Sequence, residues 1–82
     1  MNQVTIYTTR QCPYCLMAKR LLSARGVTPF EIGIDGDDER RSEMLERSGR
    51  RSVPQIFIGE RHVGGYDDLA ALDHAGELRA LL

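Results

Sequence analysis

Apolar residues fall into short runs and helical stripes along the chain, and each change of spacing marks a predicted element. Val4-Thr5-Ile6-Tyr7 is β-branched and aromatic and predicts a strand. From Pro13 to Arg25, Cys15, Ala18 and Leu22 recur at helical spacing with Met17 and Leu21 beside them. Pro13 suits the first turn of that helix, where its missing N–H costs nothing, and Gly26 stops it. Phe30, Ile32 and Ile34 alternate with Glu31, Gly33 and Asp35, which predicts a second strand with one apolar face. Asp37 or Asp38 can cap a mostly charged helix ending at Gly49, with a narrow apolar stripe through Met44 and Leu45. Gln55-Ile56-Phe57-Ile58 and Arg61-His62-Val63 flank Gly59-Glu60 and predict a hairpin. Asp67 is a candidate cap for a helix holding Leu69, Ala70 and Leu72, and Leu78, Leu81 and Leu82 predict a short last helix.

The predicted order is β-α-β-α-β-β-α. The first two strands are joined through a helix, so they are expected parallel by a right-handed crossover. The last two are expected antiparallel, because only a tight turn separates them. The fold class is therefore α/β, a four-stranded mixed sheet with helices on both faces. No repeat or linker interrupts residues 1–82, and 82 residues suit one domain.

Charge narrows the function. Eleven basic residues against 12 acidic ones leave a net charge of −1, which argues against nucleic acid or an anionic membrane as the main partner. No apolar stretch reaches the roughly 20 residues of a spanning helix, and no secretory signal is expected. Two cysteines are too few for a disulfide-stapled miniprotein, so a reducing, cytoplasmic location is expected.

Those two cysteines lie in Cys12-Pro13-Tyr14-Cys15, across a predicted strand-to-helix junction. The free N–H groups and positive end of the helix stabilise an anion there. A free thiol near pKa 8.5 is only ~3% ionised at pH 7, whereas a thiol in such a motif falls in the range of roughly 3.5–7.5. Cys12 is the expected nucleophile, and Cys15 is placed to attack a mixed disulfide formed on it. Half of a zinc site and a structural disulfide are the alternatives. Zinc needs four ligands, and His62 and His74 lack ligand spacing and are expected at the surface. Cytosolic thiols stay reduced, which weighs against the structural disulfide.

Ser52-Val53-Pro54 and Gly64-Gly65-Tyr66-Asp67-Asp68 follow the cysteine motif in order. Together the three make the chain resemble the glutaredoxin family, in its small bacterial dithiol form of the glutaredoxin-3 type. Ile34-Asp35-Gly36 and Pro54-Gln55-Ile56-Phe57-Ile58 extend the resemblance over essentially the whole chain. It implies a thioredoxin fold, glutathione as reducing co-substrate and no permanently bound cofactor or metal. It also implies a cis Pro54 facing Cys12, with Val53 offering its N–H and C=O to glutathione as an added strand would. Asp67 and Asp68, with the N–H groups of their helix start, would hold the γ-glutamyl end, although Asp67 also reads as a simple cap. Tyr14 would flank the bound sulfur, and Arg51 or Arg41 would meet the glycine carboxylate. The pairs Arg40-Arg41 and Arg50-Arg51 otherwise read as solvated surface. Many relatives carry lysine where this chain has Thr9, with Arg10 as the possible substitute, and cysteine where it has Tyr66. The Tyr66 backbone would still offer an N–H, and its ring is expected to turn outward.

The implied function is glutathione-dependent thiol–disulfide exchange on glutathionylated or disulfide-bonded proteins, by a monomer. One rival is an electron donor reduced by a flavoprotein reductase, against which Asp67 and Asp68 argue. The other is a carrier of an iron–sulfur cluster held between two subunits by Cys12 and glutathione. Cys15 and Pro13 argue against that role.

Overall fold

The computed structural model describes residues 2–82. Its elements are β1 (Val4–Thr8), α1 (Pro13–Ala24), β2 (Phe30–Gly33), α2 (Asp38–Ser48), β3 (Gln55–Ile58), β4 (Arg61–Gly64), α3 (Tyr66–His74) and α4 (Leu78–Leu81). The sheet order is β2-β1-β3-β4. β1 runs parallel to β2 and antiparallel to β3, and β3 is antiparallel to β4, so the mixed sheet matches the expectation. The central strands are β1 and β3, and every residue of β3 is buried.

Strand alternation sorts the core into two layers. Val4, Ile6, Ile56 and Ile58 face Ala18 and Leu22 of α1, Leu69 of α3 and Leu78 of α4. Tyr7 and Phe57 point the other way, onto Ile34 and onto Met44 of α2. Helices therefore cover both faces. Each fully buried Ile, Leu or Met side chain adds roughly 1.5–3 kcal/mol by leaving water. An ion pair from Arg25 at the end of α1 to Asp73 of α3, at 2.6 and 2.7 Å, ties the two helices on the first face together.

The second layer carries a polar seam. Tyr7 is fully buried, and its hydroxyl donates to Glu43 Oε2 at 2.5 Å while accepting from Arg47 at 2.8 Å. The Arg47 guanidinium also lies 4.0 Å from the centre of the Phe57 ring, a cation–π contact from α2 to β3. Burial and the Glu43 carboxylate raise the Tyr7 pKa above its ordinary 10.0, with Arg47 opposing. The same hydroxyl holds the Glu43 carboxyl below its ordinary value. This seam fixes α2 to the sheet, which its single buried apolar residue, Met44, would do poorly alone.

Two local expectations change, and one open choice is settled. Phe30 is 54% exposed, because β2 is an edge strand and the α2 layer covers Ile32 and Ile34 but not its first residue. Of the two candidate caps of α2, Asp37 is the one used, accepting from Arg40 N at 3.0 Å. At α3 the cap is Gly65 rather than Asp67, for reasons given with the site below.

Tyr7→Phe removes the hydroxyl and leaves Glu43 and Arg47 without it, so it is expected to cost about 1–3 kcal/mol in urea unfolding. A raised folded pKa means that the unfolded chain loses the tyrosyl proton first as pH rises. The wild-type stability from this group is therefore complete below the unfolded value of about 10 and declines above it, as pH climbs towards the folded pKa. Tyr7→Phe should lack that alkaline decline. An equal decline in both proteins would contradict the assignment.

Candidate active site

β1 delivers the chain to the site and is pinned as it arrives. Thr8 is buried and donates from its hydroxyl to Glu31 Oε2 at 2.7 Å, and Lys19 of α1 meets the same carboxylate at 3.1 Å. The Arg10 N–H donates to Asp35 Oδ2 at 2.9 Å. Cys12 follows in extended conformation as the N-cap of α1, with Pro13 in the first turn. Its Sγ accepts a hydrogen bond from the Cys15 N–H at 3.1 Å, taking the place an Asp or Ser oxygen has in an ordinary cap. Cys12 and Cys15 are joined as a disulfide, their Cα atoms 5.1 Å apart. Cys15 is 1% exposed, whereas Cys12 is only half-buried, so an incoming reagent reaches Cys12.

A second strand-end faces this sulfur. The Val53–Pro54 bond is cis, and the Val53 carbonyl oxygen lies 3.8 Å from Cys12 Sγ. Beyond Pro54 the chain enters β3, returns through β4 and starts α3 at Gly65. Asp68 reaches back one turn: its Oδ2 accepts from the Gly65 N–H at 2.9 Å and from Arg50 at 3.1 Å. These bonds, the backbone one foremost, hold the Asp68 carboxyl below its ordinary value. Asp67 makes no such bond and stays exposed, which is why it is not the cap. Gly64 is required here. Its φ is +120°, and an added Cβ would overlap the Asp68 carboxylate.

Between the Val53 edge and the start of α3 lies an open groove of about 300 Å³. Tyr14, Val53, Pro54, Tyr66, Asp67 and Asp68 all line it, so the structure brings together six of the residues singled out for glutathione. Two others fall elsewhere. The Arg10 side chain is 88% exposed and turned towards Asp35, beside a separate cleft that runs from Thr9 to Lys19 and is lined by Cys12 and Cys15. Arg51 is exposed and does not line the groove, which instead takes Arg50, held by its ion pair with Asp68. Sequence order could not separate these neighbouring arginines, since their difference lies in which way the turn before Pro54 faces. The Tyr66 ring does not turn out freely. It packs against the α1 side of the core, 6.3 Å from the Tyr14 ring, and the two form one wall. His62 is likewise not a surface residue: it is half-buried, 4.9 Å from the Phe57 ring.

Thiol–disulfide exchange is the chemistry that this placement permits. One sulfur is accessible and held by a helix N terminus, its partner is buried within bonding reach, and an exposed backbone edge lies alongside. On a four-stranded sheet of this order, that defines a thioredoxin-fold dithiol oxidoreductase. Residues 4–63 match the glutaredoxin family model. The chain is 56% identical to glutaredoxin 3 of Escherichia coli K12 over 82 residues, covering 100% of this chain and 99% of that one. It is also 56% identical to a glutaredoxin of Pseudomonas aeruginosa, covering 100% and 98%. The solution structure of Brucella melitensis glutaredoxin superposes with a TM-score of 0.88 at 54% identity, over 100% of this chain and 89% of that one. The buckwheat glutaredoxin–glutathione complex does so with a TM-score of 0.90 at 30% identity, over 99% and 76%. The chain belongs to the glutaredoxin family, whose members are glutathione-dependent thiol–disulfide oxidoreductases.

Gly64→Ala forces either a strained backbone or displacement of the Asp68 cap. It is expected to destabilise the protein by about 1–3 kcal/mol in urea unfolding. It should also raise the KM for a glutathionylated substrate. An unchanged midpoint and KM would show that the space beside Asp68 is not constrained.

Proposed function

We propose that this groove seats glutathione and that Cys12 is the nucleophile of the exchange. The observation that carries the reading is the continuity of one groove from the Val53 edge beside Cys12 to the first turn of α3. Its lining offers a backbone edge, a helix start and a cation, the partners that an extended tripeptide with an anionic group at each end requires. The cysteinyl part pairs with the N–H and C=O of Val53 in the manner of an added strand. The γ-glutamyl carboxylate meets the free N–H groups at the start of α3, near Tyr66 and Asp67, and its ammonium meets the Asp67 and Asp68 carboxylates. Tyr14 and Tyr66 wall the sulfur on the apolar side. Arg50, rather than the expected Arg51 or Arg41, supplies the cation of the groove. The likeness to the buckwheat protein solved with glutathione supports this seat.

The reaction is a pair of exchanges. The Cys12 thiolate, favoured by the Cys15 N–H, attacks the glutathione sulfur of a mixed disulfide. A Cys12–glutathione bond forms, the bond to the substrate sulfur breaks, and the departing thiolate takes a proton. A second glutathione thiolate then attacks the bound glutathione sulfur, which frees the Cys12 thiolate and forms glutathione disulfide. Across both exchanges the substrate sulfur is reduced to a thiol as the sulfur of the incoming glutathione is oxidised, while the glutathione sulfur carried over from the substrate stays at the disulfide level throughout. For a protein disulfide, the Cys12 thiolate attacks one substrate sulfur, forming a mixed disulfide as the substrate S–S bond breaks and the other sulfur leaves as the first thiol. Cys15 then attacks Cys12 Sγ, releases the second substrate thiol and closes the Cys12–Cys15 disulfide. The substrates on this reading are glutathionylated and disulfide-bonded proteins, met by a monomer in the cytoplasm.

Substituting the two cysteines separately tests the mechanism. Cys12→Ser should abolish turnover of every disulfide substrate. Cys15→Ser should keep turnover of a small glutathione mixed disulfide, because external glutathione resolves the intermediate, and should lose reduction of a protein disulfide. Residual activity in Cys12→Ser would overturn the choice of nucleophile. Equal inactivation of the mixed-disulfide reaction by both substitutions would overturn the glutathione route.

A further inference from the structure

The Val53 edge is held from behind by two residues that do not line the groove. Gln55, the first residue of β3, is fully buried. Its Nε2 donates to the Ser52 carbonyl at 2.9 Å and approaches the Ser52 hydroxyl at 3.4 Å. Its Oε1 lies 2.7 Å from His62 Nε2 on the neighbouring strand. With the amide nitrogen committed to Ser52, the oxygen is what faces the imidazole. His62 Nε2 must therefore carry a proton and donate it. The opposite tautomer would let the amide flip, setting an oxygen against the Ser52 carbonyl. The Phe57 ring, stacked at 4.9 Å and 33°, keeps the imidazole in this plane.

The Ser52 carbonyl and the Val53 N–H belong to one planar peptide unit and point in opposite directions. Gripping the oxygen on the core side therefore aims the N–H outward. We infer that His62, through Gln55, is a positioning residue that orients the Val53 N–H for the cysteinyl part of glutathione. This rests on the seat proposed above for glutathione along the Val53 edge. His62 touches neither sulfur nor substrate. Its effect is on how well the edge is aligned before glutathione arrives, and so on affinity more than on the exchange step.

His62→Phe keeps a ring against Phe57 and removes the N–H donor. With a glutathionylated peptide as substrate, KM should rise about fivefold, the worth of one neutral hydrogen bond, while kcat stays within about twofold. Alkylation of reduced Cys12 by iodoacetamide, which needs no Val53 contact, should keep its rate. An unchanged KM in a folded variant overturns the inference, and so does a parallel fall in the alkylation rate. If His62→Phe does not fold, Gln55→Glu serves, since it keeps the side-chain size but replaces the donor to Ser52 with an oxygen. The same split between KM and kcat is expected, and its absence again overturns the inference. The Val53 amide signal in NMR spectra separates the two readings. It should shift when Cys12 of the Cys15→Ser protein is glutathionylated. No shift overturns the glutathione seat and the positioning role together. A shift with unaltered KM in the variants overturns the positioning role alone.

Discussion

A sulfur that takes a hydrogen bond from a helix N terminus and still meets solvent can stand only at the cap of that helix, and Cys12 occupies that place. Its Sγ accepts from the Cys15 N–H, and a charge on it faces the positive end of α1. The Cys15 sulfur, one turn on, is buried by the same geometry. The difference between the two thiols is thus set by helix position and needs no separate base. Other parts of the molecule serve to hold this cap still and to bring an edge to it. Thr8 bonded to Glu31 and the Arg10 N–H bonded to Asp35 fix the approach from β1. The cis Pro54 turn sets the Val53 carbonyl 3.8 Å from the sulfur.

The two-layered core keeps these parts in register. β1 carries Ile6 to one face and Tyr7 to the other, so the strand ending at the active site is packed from both sides. On one face the packing is apolar, through α1, α3 and α4. On the other it runs through the Tyr7–Glu43–Arg47 seam and the Phe57 ring, because α2 has little apolar surface to offer. The half-buried His62 lies between this seam and the groove. A charged helix is thereby coupled to the strand behind the Val53 edge.

Much of this was legible in the sequence, for physical reasons that differ by element. Pro13 and Gly26 bracket α1, and Gly49 ends α2 in a left-handed conformation at φ 72°, so both helices could be read from their ends. The cysteine motif at a strand-to-helix junction announces its chemistry, because a helix start and a thiol together favour the anion. What stayed hidden was direction. Arg50 and Arg51 are adjacent, and only the turn before Pro54 decides which one meets Asp68. At α3, an Asp68 that reaches back to Gly65 looks, in sequence, like an Asp67 that reaches forward. Phe30 kept the alternation of a buried strand, but no helix covers the start of that edge. Gln55 and His62 gave no signal at all, since a buried amide between two strands has no sequence pattern of its own.

The central claim is that glutathione lies along the Val53 edge with its γ-glutamyl end at the first turn of α3. A crystal structure of the Cys15→Ser protein glutathionylated at Cys12 tests it most directly. The account predicts a paired hydrogen-bonded ladder between the glutathione cysteinyl residue and Val53, with the γ-glutamyl carboxylate on the N–H groups near Tyr66 and Asp67. Glutathione lying instead in the cleft that Thr9, Arg10 and Lys19 form with Cys12 would contradict it.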